Sequence, residues 1–271
     1  RQHSTLLLAL GCTLPLGTGS WAAPVAAADC RPPMQGRYAV MAMGTVNGGT
    51  IPQARLLEER WLPGGRVEGR LVERIGEASR NTSYSGRTRV VGSCLVQVQR
   101  QLPWGAQLSE AVLDGRGRPL YSLDRTPGTV ISSRWLPMAP GSCRAADLDG
   151  VVLSSQVGVN KVRGGWRPNA VVQREEWRDG RVQGLALSSY GGVGDSAAYS
   201  GRLSLDPGSC WGTLVETDAK GVAYNYSALL VNGRQGARGY LYLQRDPADL
   251  SVGWLVRELS LIHISEPTRP E

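Results

Sequence analysis

The sequence predicts an all-β fold: two tandem antiparallel up-and-down β-barrels, calycin-like, of about eight strands each. Three observations carry this expectation. The middle of the chain is written twice, each copy alternates β-rich runs with tight-turn dipeptides, and no stretch sustains a helical period. Tandem β-sandwiches are the alternative arrangement.

The duplication is plainest in YSGRTRVVGSC at Tyr84–Cys94 and YSGRLSLDPGSC at Tyr199–Cys210. Upstream, Glu59-Arg60-Trp61 matches Glu175-Glu176-Trp177, and GRVEG from Gly65 matches GRVQG from Gly180. Downstream, LDRTP at Leu123–Pro127 matches LQRDP at Leu243–Pro247, and Trp135-Leu136 matches Trp254-Leu255. Matches in the same order with small offsets mark an internal duplication.

The first copy reads, in order, as YAVMAMGTV up to the NGG turn, then ARLLEERWL up to LPGG. RVEGRLVERI and TSYSGRTRVV follow, the latter closed by VGS. CLVQVQRQL runs to LPWG, QLSEAVLD to DGRG, RPLYSLD to RTPG, and GTVISSRWL completes the copy. Alternation is clear in CLVQVQRQL, where Val96 and Val98 oppose Gln97 and Gln99. In GTVISSRWL, Ile131 and Trp135 oppose Ser132 and Arg134. Closing eight sequential strands into a barrel removes the exposed edges an open sheet would leave.

The expected organisation is a signal peptide over 1–28, one barrel over 29–140, a second over 141–258 and a tail over 259–271. Arg1, the apolar LLLAL and the small-residue Ala26–Ala28 make the leader. Lipidation at Cys12 fits Ala9-Leu10-Gly11 poorly. LSLIHISEPTR from Leu259 reads as translated sequencing adaptor rather than fold. No later run is long and apolar enough for a spanning helix, so a secreted or periplasmic bacterial protein that is not transmembrane is expected.

Cys30, Cys94, Cys143 and Cys210 remain between these ends, and an exported chain meets oxidising conditions. Each copy holds two cysteines at matching places, which predicts Cys30–Cys94 and Cys143–Cys210.

The segment from Tyr199 carries a family resemblance: YSGRLSLDPGSCWGTLVETD, YNYSALLVNG and GYLYLQRDPADLSVGWLVRE. It resembles small secreted bacterial barrels of calycin-like or lipocalin-like type. Gly36-Arg37-Tyr38 carries Tyr where lipocalins proper carry the Trp of G-x-W, and Gly150-Val151-Val152 has no aromatic. The resemblance implies a barrel whose interior holds one small apolar ligand, the size limit of an eight-stranded barrel.

Histidine occurs only at His3 and His263, inside the expected leader and tail. Ser-His and Cys-His activation and histidine metal ligation are thereby excluded from the barrels. No cofactor and no metal are expected. The net charge of +7 survives removal of the ends, because Arg1 and Arg269 leave together with Glu266 and Glu271. The arginines are interspersed with acids, which favours solvated strand faces over a polyanion-binding stripe, and no nucleic-acid partner is expected. GGVGDS at Gly191–Ser196 lacks the lysine of a phosphate loop and the histidine of an esterase, so it reads as a hairpin loop.

The candidate ligand-binding residues are the repeat-matched aromatics Trp61, Tyr84, Trp135, Trp177, Tyr199 and Trp254, with the acids Glu59 and Glu175. Each acid shares a strand face with the tryptophan two residues on, and reads as a rim acid beside a core indole. Three functions are expected in order: non-enzymatic binding of a small apolar ligand inside a barrel, attachment to an anionic envelope surface through arginines, and a histidine-free cyclase or isomerase using Glu or Tyr.

Overall fold

The computed structural model describes residues 31–233 and 236–258. The expected leader, Cys30 and the tail from Leu259 lie outside the described residues, so the pairing Cys30–Cys94 is not among the contacts described. The other expected pair is formed: Cys143 and Cys210 are disulfide-bonded across 67 residues of chain.

Two closed eight-stranded antiparallel barrels stand in tandem. The first comprises β1 (Gly36–Val46), β2 (Ile51–Trp61), β3 (Arg66–Ile75), β4 (Ala78–Gly92), β5 (Leu95–Leu102), β6 (Gly105–Leu113), β7 (Pro119–Asp124) and β8 (Val130–Met138). The second comprises β9 (Gly150–Val162), β10 (Gly165–Arg178), β11 (Arg181–Tyr190), β12 (Val193–Leu205), β13 (Trp211–Asp218), β14 (Ala223–Gly233), β15 (Gly236–Gln244) and β16 (Asp249–Arg257). Each strand pairs with its sequence neighbours, and β1–β8 and β9–β16 pairing closes the two rings. GGVGDS spans the β11–β12 hairpin, with Gly191 and Gly192 at φ 58° and 90° in the turn.

Alternation sorts the side chains. Val96, Val98, Ile131 and Trp135 are buried inside the first barrel. By contrast, β2 is buried on both faces, as are long stretches of β14–β16, because these strands form the contact between the barrels. One apolar cluster joins Ala39, Ala54, Leu56 and Val72 of the first barrel to Leu241, Leu243, Leu250 and Val252 of the second.

Arg74 locks this contact. It leaves the outer face of β3, is buried, and enters the β15–β16 turn of the other barrel. Its Nη1 donates to the carbonyls of Gln244, Asp246 and Asp249 at 3.0, 2.8 and 3.0 Å. Nη2 donates to the carbonyls of Gly76 and Pro247 at 3.1 and 3.2 Å. A guanidinium is suited to this place because its donors form a rigid fork that five fixed acceptors can surround.

Candidate functional site

The repeated motifs build the same device in each barrel. Glu59, Gly69 and Tyr84 lie opposite one another on β2, β3 and β4. Glu175, Gly184 and Tyr199 do so on β10, β11 and β12. The glycine is needed for the tyrosine to cross its strand: a Cβ on Gly69 would sit 2.3 Å from the Tyr84 ring, and one on Gly184 2.4 Å from the Tyr199 ring. The two acids are fully buried, not at the rim, because the barrel interior supplies their hydrogen bonds. Trp61 Nε1 donates to Glu59 at 2.7 Å and Tyr84 Oη at 2.7 Å. Trp177 Nε1 and Tyr199 Oη donate to Glu175 at 2.6 and 2.8 Å.

The copies then diverge in their charges. In the first barrel Glu59 is neutralised by Arg100 of β5, whose Nε donates at 2.6 Å. Beyond the row of Leu57, Leu71 and Thr82, Arg55, Glu73 and Arg80 form a second polar row across β2, β3 and β4. Arg55 bonds Glu73 at 2.6 Å and Asp124 at 2.5 Å, Arg80 bonds Glu73 at 2.5 Å, and Gln53 donates to Glu73. Burial alone would raise the Asp124 carboxyl, but Arg55 with hydrogen bonds from Gln107 and Thr126 holds it below the usual carboxylate range. Trp135 packs edge to face against Trp61 and Tyr38, which are tilted on each other, in the same interior. A void of about 10 Å³ is left beside Arg55 and Arg100, less than a ligand needs. The first barrel is plugged.

The second barrel keeps the carboxylate and loses the cations. Val171, Ser188 and Asp195 stand where the first has Arg55, Glu73 and Arg80. Arg100 lies opposite Gly86, and its counterpart opposite Gly201 is Glu216. What remains is a cavity of about 320 Å³ lined by Tyr190, Tyr199, Tyr224, Tyr226, Gln156, Gln173 and Glu216. Asp195, Asp218 and Lys220 also line it, and Lys220 bonds Asp195 at 2.6 Å through largely exposed side chains.

Two carboxyls without a buried cation cannot both ionise cheaply. Burial pushes Glu175 up to about 7 against hydrogen bonds from Trp177, Tyr199 and Tyr240. Tyr240 lies 3.0 and 2.9 Å from the two Glu175 oxygens, and its hydroxyl can donate to one or accept from the other as the proton requires. Burial, then the nearby Glu175, raises Glu216 well above its ordinary value. Glu216 is only 3% exposed, and among the described residues it has no hydrogen bond or ion pair. Its carboxyl opens on the cavity.

Of the candidate residues, Glu59, Trp61, Tyr84 and Trp135 are brought together, in the plugged barrel. Glu175, Trp177 and Tyr199 are brought together in the second barrel, where Tyr199 alone of the three lines the cavity. Trp254 is not with them. Gly253 faces inward, since a Cβ there would strike the Tyr242 ring, and so Trp254 faces out. It packs between the barrels, with the Arg134 guanidinium 4.3 Å from its ring. The match of Trp135-Leu136 to Trp254-Leu255 is one residue out of register in space, which reverses the face. Sequence reasoning missed Arg100, Glu216, Tyr240 and the tyrosines of β14. One signal was available: Arg100 and Glu216 each stand six residues after the matched cysteine.

A second cavity, of about 420 Å³, lies outside the barrels between Met41, Met43, Leu123, Arg134, Val157 and Val252. It is larger and more apolar, and the one buried polar residue of its lining, Ser122, already accepts from Trp135 Nε1, so the interior cavity is the stronger site. Among the described residues no cluster of His, Cys, Asp and Glu is arranged to hold a metal. None of their helices is long and apolar enough to cross a membrane.

No family model and no curated protein matches the chain. Among solved structures it is similar to kievitone hydratase from Nectria haematococca, at 6% identity over 86% of this chain and 92% of that one, with TM-score 0.28. An AttH-like protein from Nitrosomonas europaea matches at 10% identity over 82% and 92%, with TM-score 0.27. A DUF3598-family protein of unknown function from Nostoc punctiforme matches at 12% over 83% and 96%, with TM-score 0.24. At TM-scores this low the likeness says nothing of what this chain binds or does.

Proposed function

We propose that the chain is an exported small-molecule-binding protein whose second barrel, over 141–258, takes one ligand while the first, over 29–140, serves as its support. One observation carries this reading: Glu216, buried and without a protein partner, faces a cavity that the plugged copy fills with Arg100. A buried polar group left unpaired costs free energy, and a ligand that pairs it recovers that cost. Tyrosine walls and two glutamines supply the apolar body and sparse polar contacts of a small-molecule site. The Cys143–Cys210 disulfide supports an oxidising compartment.

The test is to rebuild the plug. Val171→Arg with Ser188→Glu copies the cross-strand pair of the first barrel, which that barrel accommodates. Wild-type protein is expected to bind the dye N-phenylnaphthylamine with a rise in its fluorescence, and the double variant to lose that signal with an unchanged far-UV spectrum. Equal dye binding by both proteins would place the site elsewhere.

A further inference from the structure

The difference between the two interiors also reports on the ligand's charge. Three arginines face into the first barrel at Arg55, Arg80 and Arg100. The matching positions of the second are Val171, Asp195 and Glu216. Glu175 is retained. In a chain of net charge +7 the cavity is lined by Glu216, Asp195 and Asp218 against Lys220 alone, which is already paired. Two of the three arginines have become acids and the third a valine; Glu59, which Arg100 neutralises, is kept as Glu175, while Glu73, which Arg55 and Arg80 bond, has become Ser188.

Resting on the binding reading above, we infer that the ligand is an organic cation: a protonated amine on a flat apolar body, its nitrogen held by Glu216 among the tyrosine rings. Glu216 itself stands at the strand position that Arg100 holds in the other copy, so the ligand supplies the positive charge that the substitution removed. Tyr199, Tyr224 and Tyr226 line the same cavity, and ring faces attract a desolvated cation. A neutral ligand would leave two buried acids sharing one apolar interior. An anion would add a third negative group to them.

The groups facing Glu216 are Glu175 from β10, Tyr199 from β12, Tyr226 from β14, and Tyr240 and Tyr242 from β15. None is a cation. Free Glu216 therefore holds its proton to higher pH than an exposed carboxyl does. When the ammonium arrives, that O–H bond breaks and the proton leaves to solvent, with no other bond made or lost. Binding releases up to one proton, and affinity rises with pH until the amine itself deprotonates.

Three indole probes of one shape separate the cases: tryptamine, its neutral alcohol tryptophol, and indoleacetate. Calorimetric titration in phosphate and in Tris at neutral pH measures affinity and proton release together. Wild type is expected to prefer tryptamine over tryptophol by about tenfold or more, with proton release for tryptamine only. Glu216→Gln is expected to lose about tenfold or more for tryptamine and the proton release with it, so that its preference for tryptamine over tryptophol disappears. Tryptophol or indoleacetate binding as tightly as tryptamine overturns the inference, as does tryptamine binding without proton release. Failure of all three probes while the dye still enters overturns the cation and leaves the cavity reading standing. Failure of the dye as well overturns both.

Discussion

Replacing Glu175 by glutamine tests the electrostatic account of the second barrel through stability alone. In the folded chain this carboxyl titrates near 7, against 4.5 for its ordinary value, because burial outweighs three hydrogen-bond donors. The folded state therefore holds a proton that the unfolded state has released across that interval. Stability from this group is complete below the lower value and is lost as pH rises through the upper one. At 1.36 kcal/mol per unit, the shift amounts to about 3 kcal/mol, lost between about pH 4.5 and pH 7. Glu216, raised by burial and by the nearby Glu175, acts in the same direction. The carboxylates with depressed values, Asp114, Asp124, Asp195 and Asp218, lose their contribution only as pH falls below the ordinary range, so they do not mask the effect. Urea unfolding followed by tryptophan emission at intervals between about pH 5 and pH 8 reads the slope. Wild type should lose stability with rising pH, and Glu175→Gln should lose it less steeply. Its amide cannot ionise, and any cost of the altered hydrogen bonds is a pH-independent offset. A wild-type stability that is level or climbs over the interval, or equal slopes for the two proteins, would refute the reasoning.

Arg74→Leu removes the guanidinium donor from five carbonyls, in two buried and three part-buried hydrogen bonds, and should cost about 3 kcal/mol or more and leave the barrels unfolding in separate urea transitions. An unchanged midpoint would show that the apolar contact alone joins the barrels. Removing the disulfide as Cys143→Ala with Cys210→Ala frees a loop of 67 residues and should cost about 4 kcal/mol by calorimetry; a loss under about 1 kcal/mol counts against the chain-entropy account. Gly184→Val drives carbon into the Tyr199 ring and should cost about 1–3 kcal/mol while altering dye affinity. If both are unchanged, Tyr199 does not depend on that glycine to reach Glu175.

The strands and their order were legible because alternation and turn dipeptides are local. RVEGRLVERI is β3 to the residue, and VGS, LPWG and DGRG fall where β4, β5 and β6 end. Cys143–Cys210 was legible because duplication supplied two examples of one spacing. The plug was not. Arg100 lies on the same face as Val96 and Val98, yet its partner Glu59 is 41 residues away, and nothing local distinguishes an inward arginine from a solvated one. Glu216 was hidden for the same reason, and its meaning emerges only beside Arg100. Trp254 misled because a shared dipeptide carries no statement of which face it presents.

The grip of Arg74 has a consequence for the history of the chain. Copies that merely follow one another can be lost or exchanged singly. Here the first copy supplies the side chain that completes a turn of the second, and deleting it would strip four of that turn's carbonyls and bare its apolar wall. Neither half is dispensable once that bond exists. The two copies are tied through that turn into one unit whose interiors have diverged, one filled and the other holding a cavity.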